Sequence, residues 1–221
     1  MENYVKEMTL STAFNATIKE FPDRTAQVFN PDLYHGDNNG HFTYRELQNR
    51  VELIASGLLS LGLDKKQRVA IMSRNSPYWT QADIAVVNSG GVLVTIYPTL
   101  SLNEVSYIIN DSESKYLFVG SESILQNVLV GFDNMPSLEK IIVLDLKYNS
   151  KDERVISLAD LMRLGKENLA KNLPIYEERA TNIALDDWAT VLYTSGTTGQ
   201  GKGVILTHRS FSSRMDGVYE Y

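Results

Sequence analysis

Residues 193 to 204, with the sequence YTSGTTGQGKGV, combine glycines, hydroxyl side chains and a lysine in one short segment. Glycine permits backbone conformations that bring amide groups close to a ligand, and hydroxyl and ammonium groups can donate to phosphate oxygens. The glycines are Gly196, Gly199, Gly201 and Gly203. The other groups are Thr194, Ser195, Thr197, Thr198 and Lys202. The segment therefore predicts a phosphate-binding loop.

Two other interpretations of this segment stay open at this point. It can be a polar connection without a ligand, as many glycine-rich loops are, although its interleaved pattern is narrower than theirs. Residues 196 to 202 also fit GxxxxGK, most of a Walker A motif, which indicates a P-loop nucleotide triphosphatase. Against that, Gly203 stands where the motif needs Ser or Thr, and the β-branched VILT at 204–207 favours a strand over a helix.

The elements around the loop alternate between strand and helix patterns along the whole chain. The predicted strands are 26–29, 68–73, 91–98, 116–120, 140–145, 188–193 and 204–207, and the predicted helices are 43–63, 76–87, 102–110, 121–131 and 157–171. Thr43 with Glu46, and Ser101 with Glu104, form capping boxes at two helix starts. Apolar strands that are each followed by a helix predict an α/β fold, a doubly wound and mostly parallel sheet covered by helices.

The organisation between these elements shows no clear break. The charged stretch 147–178 is interpreted as a solvated excursion, and 30–41 as a turn-rich connection. We claim no domain boundary within residues 1–221. The strand at 188–193 is predicted to be buried.

Composition limits the partners of the chain. The net charge is −6 and the pI is about 5.1, which argues against a general affinity for nucleic acid, so that any anion must be captured locally. The sequence has no cysteine, shows no signal-peptide pattern at its start and contains no membrane-length apolar run. We expect a cytoplasmic protein that acts on small molecules. Peripheral membrane contact and the oligomeric state stay open.

Several other polar or aromatic residues are given structural roles. His208 is expected at a helix start capped by Thr207, and the pair Asp186 and Asp187 is expected in a solvated turn. Tyr97, at the end of an apolar run, is expected in the core. The remaining histidines, His35 and His41, lie in the polar connection.

The glycine-rich segment also carries a family resemblance. YTSGTTGQGKGV followed by LTH resembles the signature loop of the adenylate-forming (AMP-binding, ANL) superfamily, usually YTSGTTGxPKGVxxTH. FTYREL at 42–47 and NSGGVLVTIYPTLS at 88–101 resemble two upstream segments of that superfamily, in the expected order. The stretch that begins NSPYWTQADIAVV is similar to the long-chain fatty acid-CoA ligase (acyl-CoA synthetase) branch.

The resemblance implies an AMP-forming acid-CoA ligase of fatty acid metabolism. ATP would activate a carboxylic acid, of the long-chain fatty acid type, to an acyl-AMP, which coenzyme A then converts to a thioester. The implied phosphate contacts are Thr194, Ser195, Gly196, Thr197, Thr198, Gly199 and Lys202. Thr194 is also the implied contact to Mg²⁺. A nucleotide-binding module without catalysis stays open as another alternative.

The resemblance further implies that this chain is the N-terminal part of the large domain. No catalytic residue is assigned within it, because the catalytic lysine of such enzymes lies in a small C-terminal domain, and the chain alone is expected to be inactive. Gly201 stands where the superfamily usually has proline. Since proline fixes φ, we expect glycine to leave the unliganded loop more mobile.

Overall fold

The computed structural model describes residues 8–34, 40–194 and 200–215. The helices are α1 (Leu10–Glu20), α2 (Tyr44–Ser60), α3 (Pro77–Asn88), α4 (Leu102–Ser112), α5 (Glu122–Val130), α6 (Leu158–Glu167), α7 (Leu169–Thr181) and α8 (His208–Met215). A short 3-10 helix covers Phe132–Asn134. The strands are β1 (Thr25–Val28), β2 (His41–Thr43), β3 (Arg68–Met72), β4 (Val92–Ile96), β5 (Tyr116–Val119), β6 (Lys140–Val143), β7 (Val155–Ser157), β8 (Trp188–Thr194) and β9 (Lys202–Thr207).

The main sheet of the described residues has seven strands in the order β7-β6-β5-β3-β4-β8-β9. All neighbouring pairs are parallel except β8 and β9, which form an antiparallel hairpin. The chain passes from β3 to β4 on one side, and then crosses over β3 to place β5 on the other. The predicted α/β fold with a mostly parallel sheet is confirmed, and β1 and β2 form a separate antiparallel ribbon.

Both faces of this sheet are covered, because alternate residues of each central strand point to opposite sides. Val69 and Ile71 of β3 pack towards α2, α3, α6 and α7, together with Phe118 of β5. Ala70 and Met72 of β3 pack towards α4 and α5. These two apolar layers explain why the central strands are apolar at successive positions, as the sequence indicated.

Helix starts follow the local signals in the sequence. Both predicted capping boxes form: the Thr43 side chain accepts from the Glu46 amide while the Glu46 carboxylate accepts from the Thr43 amide, and Ser101 and Glu104 repeat the arrangement. Gly62 follows the end of α2 with a φ of +91°, a conformation that costs glycine little. Satisfied terminal amides fix where α2 and α4 begin.

The stretch 147–178 is not a solvated excursion, and that prediction is wrong. It contributes β7 to the sheet and then two helices, of which α6 packs closely on α2. A Cβ atom on Gly165 would lie 2.9 Å from the amide nitrogen of Gly57, and a Cβ on Gly57 would overlap Leu161. The Ser56 hydroxyl donates to the Gly165 carbonyl at 2.8 Å. Two glycines at one crossing therefore let the helix backbones meet.

The β8–β9 hairpin is less buried than predicted. Trp188 and Leu192 of β8 are 48% and 38% exposed, and Val204 and Ile205 of β9 are 44% and 42% exposed. Within the described residues β9 is an edge strand, so that its outer side meets no further strand there. The prediction of a buried strand at 188–193 is correct only for the face that carries Ala189 and Val191.

Candidate phosphate-binding site

The candidate loop joins β8 to β9 at the carboxyl end of the parallel sheet. β8 is held in register with β4 by the pairs Leu93↔Thr190, Val94↔Val191 and Thr95↔Leu192. The Thr190 hydroxyl adds a bond to the Leu93 carbonyl at 2.8 Å. Ligands of open α/β folds bind outside the carboxyl ends of the strands, and β8 ends with Thr194 at that edge of the sheet.

The loop has two stems, the ends of β8 and β9 that flank it. Thr194 and Lys202 are directly opposite each other in the hairpin ladder, so their side chains project from the same face. Both residues are exposed. Within the described ranges, no carboxylate forms an ion pair with the Lys202 ammonium group. Among the described residues, the stems thus present one hydroxyl group and one positive charge without an ion-pair partner at the base of the loop.

The structure describes only part of the predicted site. Of the seven implied phosphate contacts, Thr194 and Lys202 are described. The other five contacts, and one of the two histidines of the polar connection, lie outside the described residues: Ser195, Gly196, Thr197, Thr198, Gly199 and His35.

The geometry after Lys202 contradicts the Walker alternative. A Walker lysine stands at the beginning of a helix, whereas Lys202 begins β9 and the chain stays extended to Thr207. The next helix begins only at His208. Gly203 pairs with Tyr193 in the ladder, and a Cβ there would lie 3.2 Å from the Cζ atom of that ring. The serine or threonine of a Walker motif would therefore meet the ring of Tyr193.

A cleft lies beside the two stems, between the hairpin and α4. It is lined by Tyr97, Leu100, Tyr107, Ile108, Tyr193 and Gly201 among others. Tyr97 is 70% exposed at this cleft, so its predicted place in the core is wrong. The reason is that β4 ends at Ile96, and the strand alternation that buried the preceding residues does not extend to Tyr97.

Tyr193, which lines this cleft, and its partner Asp111 were not singled out by the sequence. The Tyr193 hydroxyl donates to the Asp111 carboxylate of α4 at 2.6 Å. Tyr193 is the first residue of the glycine-rich motif, which could have drawn attention to it. Asp111 gives no such signal, because it is one of many charged residues on helix surfaces and its partner is 82 residues away.

His208 has the structural role that was expected. It is 1% exposed, and its Nδ1 atom accepts a hydrogen bond from the Leu10 amide of α1 at 3.2 Å. Thr207 caps the helix by accepting from the Ser210 amide. Burial lowers the pKa of His208 to about 4, against a smaller opposing effect of the Asp187 carboxylate.

The adjacent acidic pair does more than occupy a solvated turn. The Arg209 guanidinium donates twice to Asp186, at 2.7 and 2.9 Å, and holds the pKa of that carboxyl below its usual value. Asp187 accepts from the Ala184 amide at 2.9 Å through its carboxylate and from the His208 amide at 3.1 Å through its carbonyl. The turn before β8 is therefore tied to the helix that follows β9.

Acid is expected to destabilise the chain through His208. Above pH 6.5 the imidazole is neutral in the folded and the unfolded chain. Below pH 6.5 only the unfolded form takes up a proton until the pH approaches 4, so the free energy of unfolding falls with a slope of up to about 1.4 kcal/mol per pH unit. Urea unfolding at pH 7.5, 6.0 and 5.0 measures this slope.

The matched control is His208→Asn, whose Oδ1 atom stands in for Nδ1 as an acceptor from Leu10 but does not titrate. The wild type should lose more stability than this variant between pH 6.5 and 4.5. Parallel stability curves for the two proteins would show that His208 does not carry the effect.

Across residues 8–34, 40–194 and 200–215, no three His, Asp or Glu side chains come together as ligands for a metal ion. In the same part of the chain no helix combines the length and the apolar character that crossing a membrane requires.

Comparison with known proteins gives the family. Residues 14–221 match the AMP-binding enzyme family. The chain is 32% identical over 186 residues to fatty acyl-CoA synthetase A of Dictyostelium discoideum, covering 80% of this chain and 26% of that protein. It is 30% identical over 216 residues to the chloroplastic long-chain-fatty-acid--[acyl-carrier-protein] ligase AEE15 of Arabidopsis thaliana, covering 94% and 29%.

Solved structures agree on the fold. A long-chain-fatty-acid-CoA ligase from Archaeoglobus fulgidus superposes with a TM-score of 0.75 at 22% identity, covering 94% of this chain and 38% of that one. The chain thus spans little more than a quarter of the length of the two relatives above. Its match to the family extends over nearly all of its own length, and the chain belongs to the AMP-binding enzyme family.

Proposed function

We propose that the full-length protein containing this chain activates a carboxylic acid with ATP. The carboxylate attacks the α-phosphorus of ATP, the bond to the bridging oxygen breaks, and acyl-AMP and pyrophosphate form. A thiol then displaces AMP to give a thioester. Membership of the AMP-binding enzyme family supports this reaction class.

One observation carries the local part of the proposal. Thr194 and Lys202 are opposed and exposed at the stems of a glycine-rich loop, at the carboxyl end of a parallel sheet. A hydroxyl donor, and an ammonium group that pairs with no carboxylate among the described residues, suit the β- and γ-phosphates, which leave together as pyrophosphate. Held there, these groups would fix the leaving group in line with the attack and stabilise its growing charge.

The remaining contacts belong to the same proposal. Ser195, Thr197 and Thr198 would donate hydroxyl hydrogens to phosphate oxygens, and the backbone amides near Gly196 and Gly199 would complete the site. An ionised carboxylate needs no general base, so this segment has to bind and orient rather than transfer protons. The assignment of these residues rests on the motif and on the position of the two stems.

A magnesium ion fits this arrangement only together with the nucleotide. Thr194 supplies one oxygen ligand, and the described residues bring no acidic cluster to it. Mg²⁺ usually takes one or two protein oxygens and completes its shell with phosphate oxygens and water. We therefore propose that Thr194 contacts Mg²⁺ that arrives with ATP, and that the bound ion neutralises phosphate charge.

The proposed substrate is a long-chain fatty acid. Support comes from the names of the relatives, which include a fatty acyl-CoA synthetase and a long-chain fatty acid ligase that uses acyl carrier protein. Coenzyme A is the proposed acceptor. Thioester formation with coenzyme A and with acyl carrier protein, measured side by side, distinguishes the two acceptors.

ATP–pyrophosphate exchange tests the reaction. The full-length protein, given labelled pyrophosphate, ATP, Mg²⁺ and a series of acids of increasing chain length, should form labelled ATP with long-chain acids. The isolated 221-residue chain should not. Phosphate release without exchange would indicate a triphosphatase, and ATP binding with neither activity would indicate a non-catalytic module; each result would contradict the proposal.

Gly201→Pro is expected to lower the KM for ATP about two- to fivefold, because proline reduces the conformational freedom that is lost when the loop orders. The φ of Gly201 lies outside the left-handed region. A Cβ atom added to Gly201 would have the Thr194 carbonyl oxygen as its nearest neighbour, at 3.3 Å. Exchange kinetics of the full-length protein measure the KM. Gly201→Ala, which lacks the ring, is the control, and an unchanged or higher KM for Gly201→Pro would contradict the expectation.

A further inference from the structure

A hydrogen bond between side chains connects the end of β8, one stem of the candidate loop, to α4. Tyr193 immediately precedes Thr194 in β8, and its hydroxyl group donates to Asp111 near the end of α4. The bond is 2.6 Å long and joins residues 82 positions apart. It therefore joins the end of β8 to α4, a helix whose own apolar residues pack on one face of the sheet.

The ring of Tyr193 also contacts the other stem. Its Cζ and hydroxyl oxygen would lie 3.2 and 3.4 Å from a Cβ atom on Gly203, so the ring lies across the pair that these residues form in the ladder. Tyr107 of α4 meets the ring edge-to-face, with centroids 6.4 Å apart. One side chain thus touches β8, β9 and α4 directly below the loop.

The Tyr193 hydroxyl group keeps its proton at neutral pH and therefore stays a hydrogen-bond donor. Burial raises the pKa of Tyr193 well above its usual value, and the hydrogen bond to Asp111 and the charge of that carboxylate raise it further. The positively charged Arg68 opposes this effect only weakly. The contact between the two residues therefore joins a neutral hydroxyl group to a carboxylate group on the exposed surface of α4.

We propose that Tyr193 and Asp111 are positioning residues that hold the end of β8, one stem of the phosphate loop, against α4 in the place that ATP binding requires. Neither residue touches the reacting atoms. The expected effect of this pair on catalysis rests on the proposed function. Its effect on ATP affinity does not, because ATP binding can be measured without turnover. A bond that only stabilised the fold would change stability and all kinetic constants together.

The test uses the full-length protein with Tyr193→Phe, Asp111→Ala, Asp111→Asn and the double variant Tyr193→Phe/Asp111→Ala. Tyr193→Phe and Asp111→Ala should each raise the Kd and the KM for ATP about three- to tenfold, with the KM for the fatty acid and the thermal midpoint little changed. The double variant should bind ATP no more weakly than either single variant, because each single substitution already removes the same hydrogen bond.

Two variants serve as matched controls. Asp111→Asn keeps an oxygen that can accept from Tyr193, and should restore near-normal ATP affinity. Tyr107→Phe removes a hydroxyl from the same cleft but retains the edge-to-face ring contact, and should behave as the wild type.

Three outcomes would overturn the proposal. The first is a double variant whose loss of ATP affinity is the sum of the two single losses. The second is an equal loss of ATP affinity in Asp111→Asn and Asp111→Ala, which would assign the effect to the charge of Asp111. The third is a wild type that does not bind ATP in calorimetry. A wild type that binds ATP without exchange would refute the proposed function alone, and the calorimetric comparison of variants would still decide the role of this pair.

Discussion

Lys202→Met in the full-length protein is expected to lower kcat/KM for ATP about 100-fold in pyrophosphate exchange, with little change in the KM for the fatty acid. Lys202 is exposed at the loop stem and has no carboxylate partner within the described residues, so its charge is available to the phosphates. Methionine keeps a long side chain but removes the charge that would stabilise the leaving pyrophosphate.

The comparison needs two further variants. Lys202→Arg retains the charge with a different geometry and should recover part of the activity. Lys171→Met removes an exposed lysine on α7 and should leave the kinetics unchanged, which separates the local effect from the loss of one positive charge. A loss smaller than threefold in Lys202→Met would refute the phosphate-binding role of this lysine.

Gly165→Ala is expected to lower the free energy of unfolding by about 3 kcal/mol. The added methyl group would overlap the Leu53 carbonyl oxygen and lie 2.9 Å from the Gly57 amide nitrogen, and all of these are backbone atoms that cannot rotate away. Helices α2 and α6 must therefore separate, which also strains the bond between the Ser56 hydroxyl and the Gly165 carbonyl. The higher helix propensity of alanine, about 1 kcal/mol, only partly offsets this cost.

Urea unfolding monitored by circular dichroism measures the difference. Lys166→Ala, one residue further along α6 and exposed, is the control and should change stability by less than about 0.5 kcal/mol. If Gly165→Ala unfolded at the same urea concentration as the control, the close approach of α2 and α6 would not be a determinant of stability.

Local signals explain why much of the fold is predictable from the sequence. The capping boxes at Thr43 and Ser101 depend on residues three positions apart, and both form as predicted. The apolar runs at β3 to β6 predict strands covered on both faces, because side chains of each strand alternate between two apolar layers. These features need no information about distant parts of the chain.

The wrong predictions depend on where an element ends and on which element lies against it. The charged stretch that contains β7 and α6 becomes part of the core because Gly165 meets Gly57, more than 100 residues earlier. Tyr97 is exposed because β4 ends one residue before it. A sequence pattern records the composition of such segments, but not which element lies against them.

In the candidate site, too, features set by nearby residues are predictable and features set by distant residues are not. Thr194 and Lys202 belong to one short motif, and the pairing of the strands on either side brings them opposite each other. The bond between Tyr193 and Asp111 joins β8 to α4, and no pattern in the sequence relates the two. The sequence thus predicts the groups that face a ligand better than the groups that hold them in place.

The bond from the Leu10 amide to His208 has a consequence for the order of events during protein synthesis. The two residues are 198 positions apart, so at a rate of about 5–20 residues per second the ribosome needs roughly 10–40 s to supply the second partner after the first. During that interval the Leu10 amide has no imidazole to donate to, while Phe14 of α1 can already pack against the apolar layer that α2 and α3 help to form. The start of α1 is therefore fixed in place later than its apolar side.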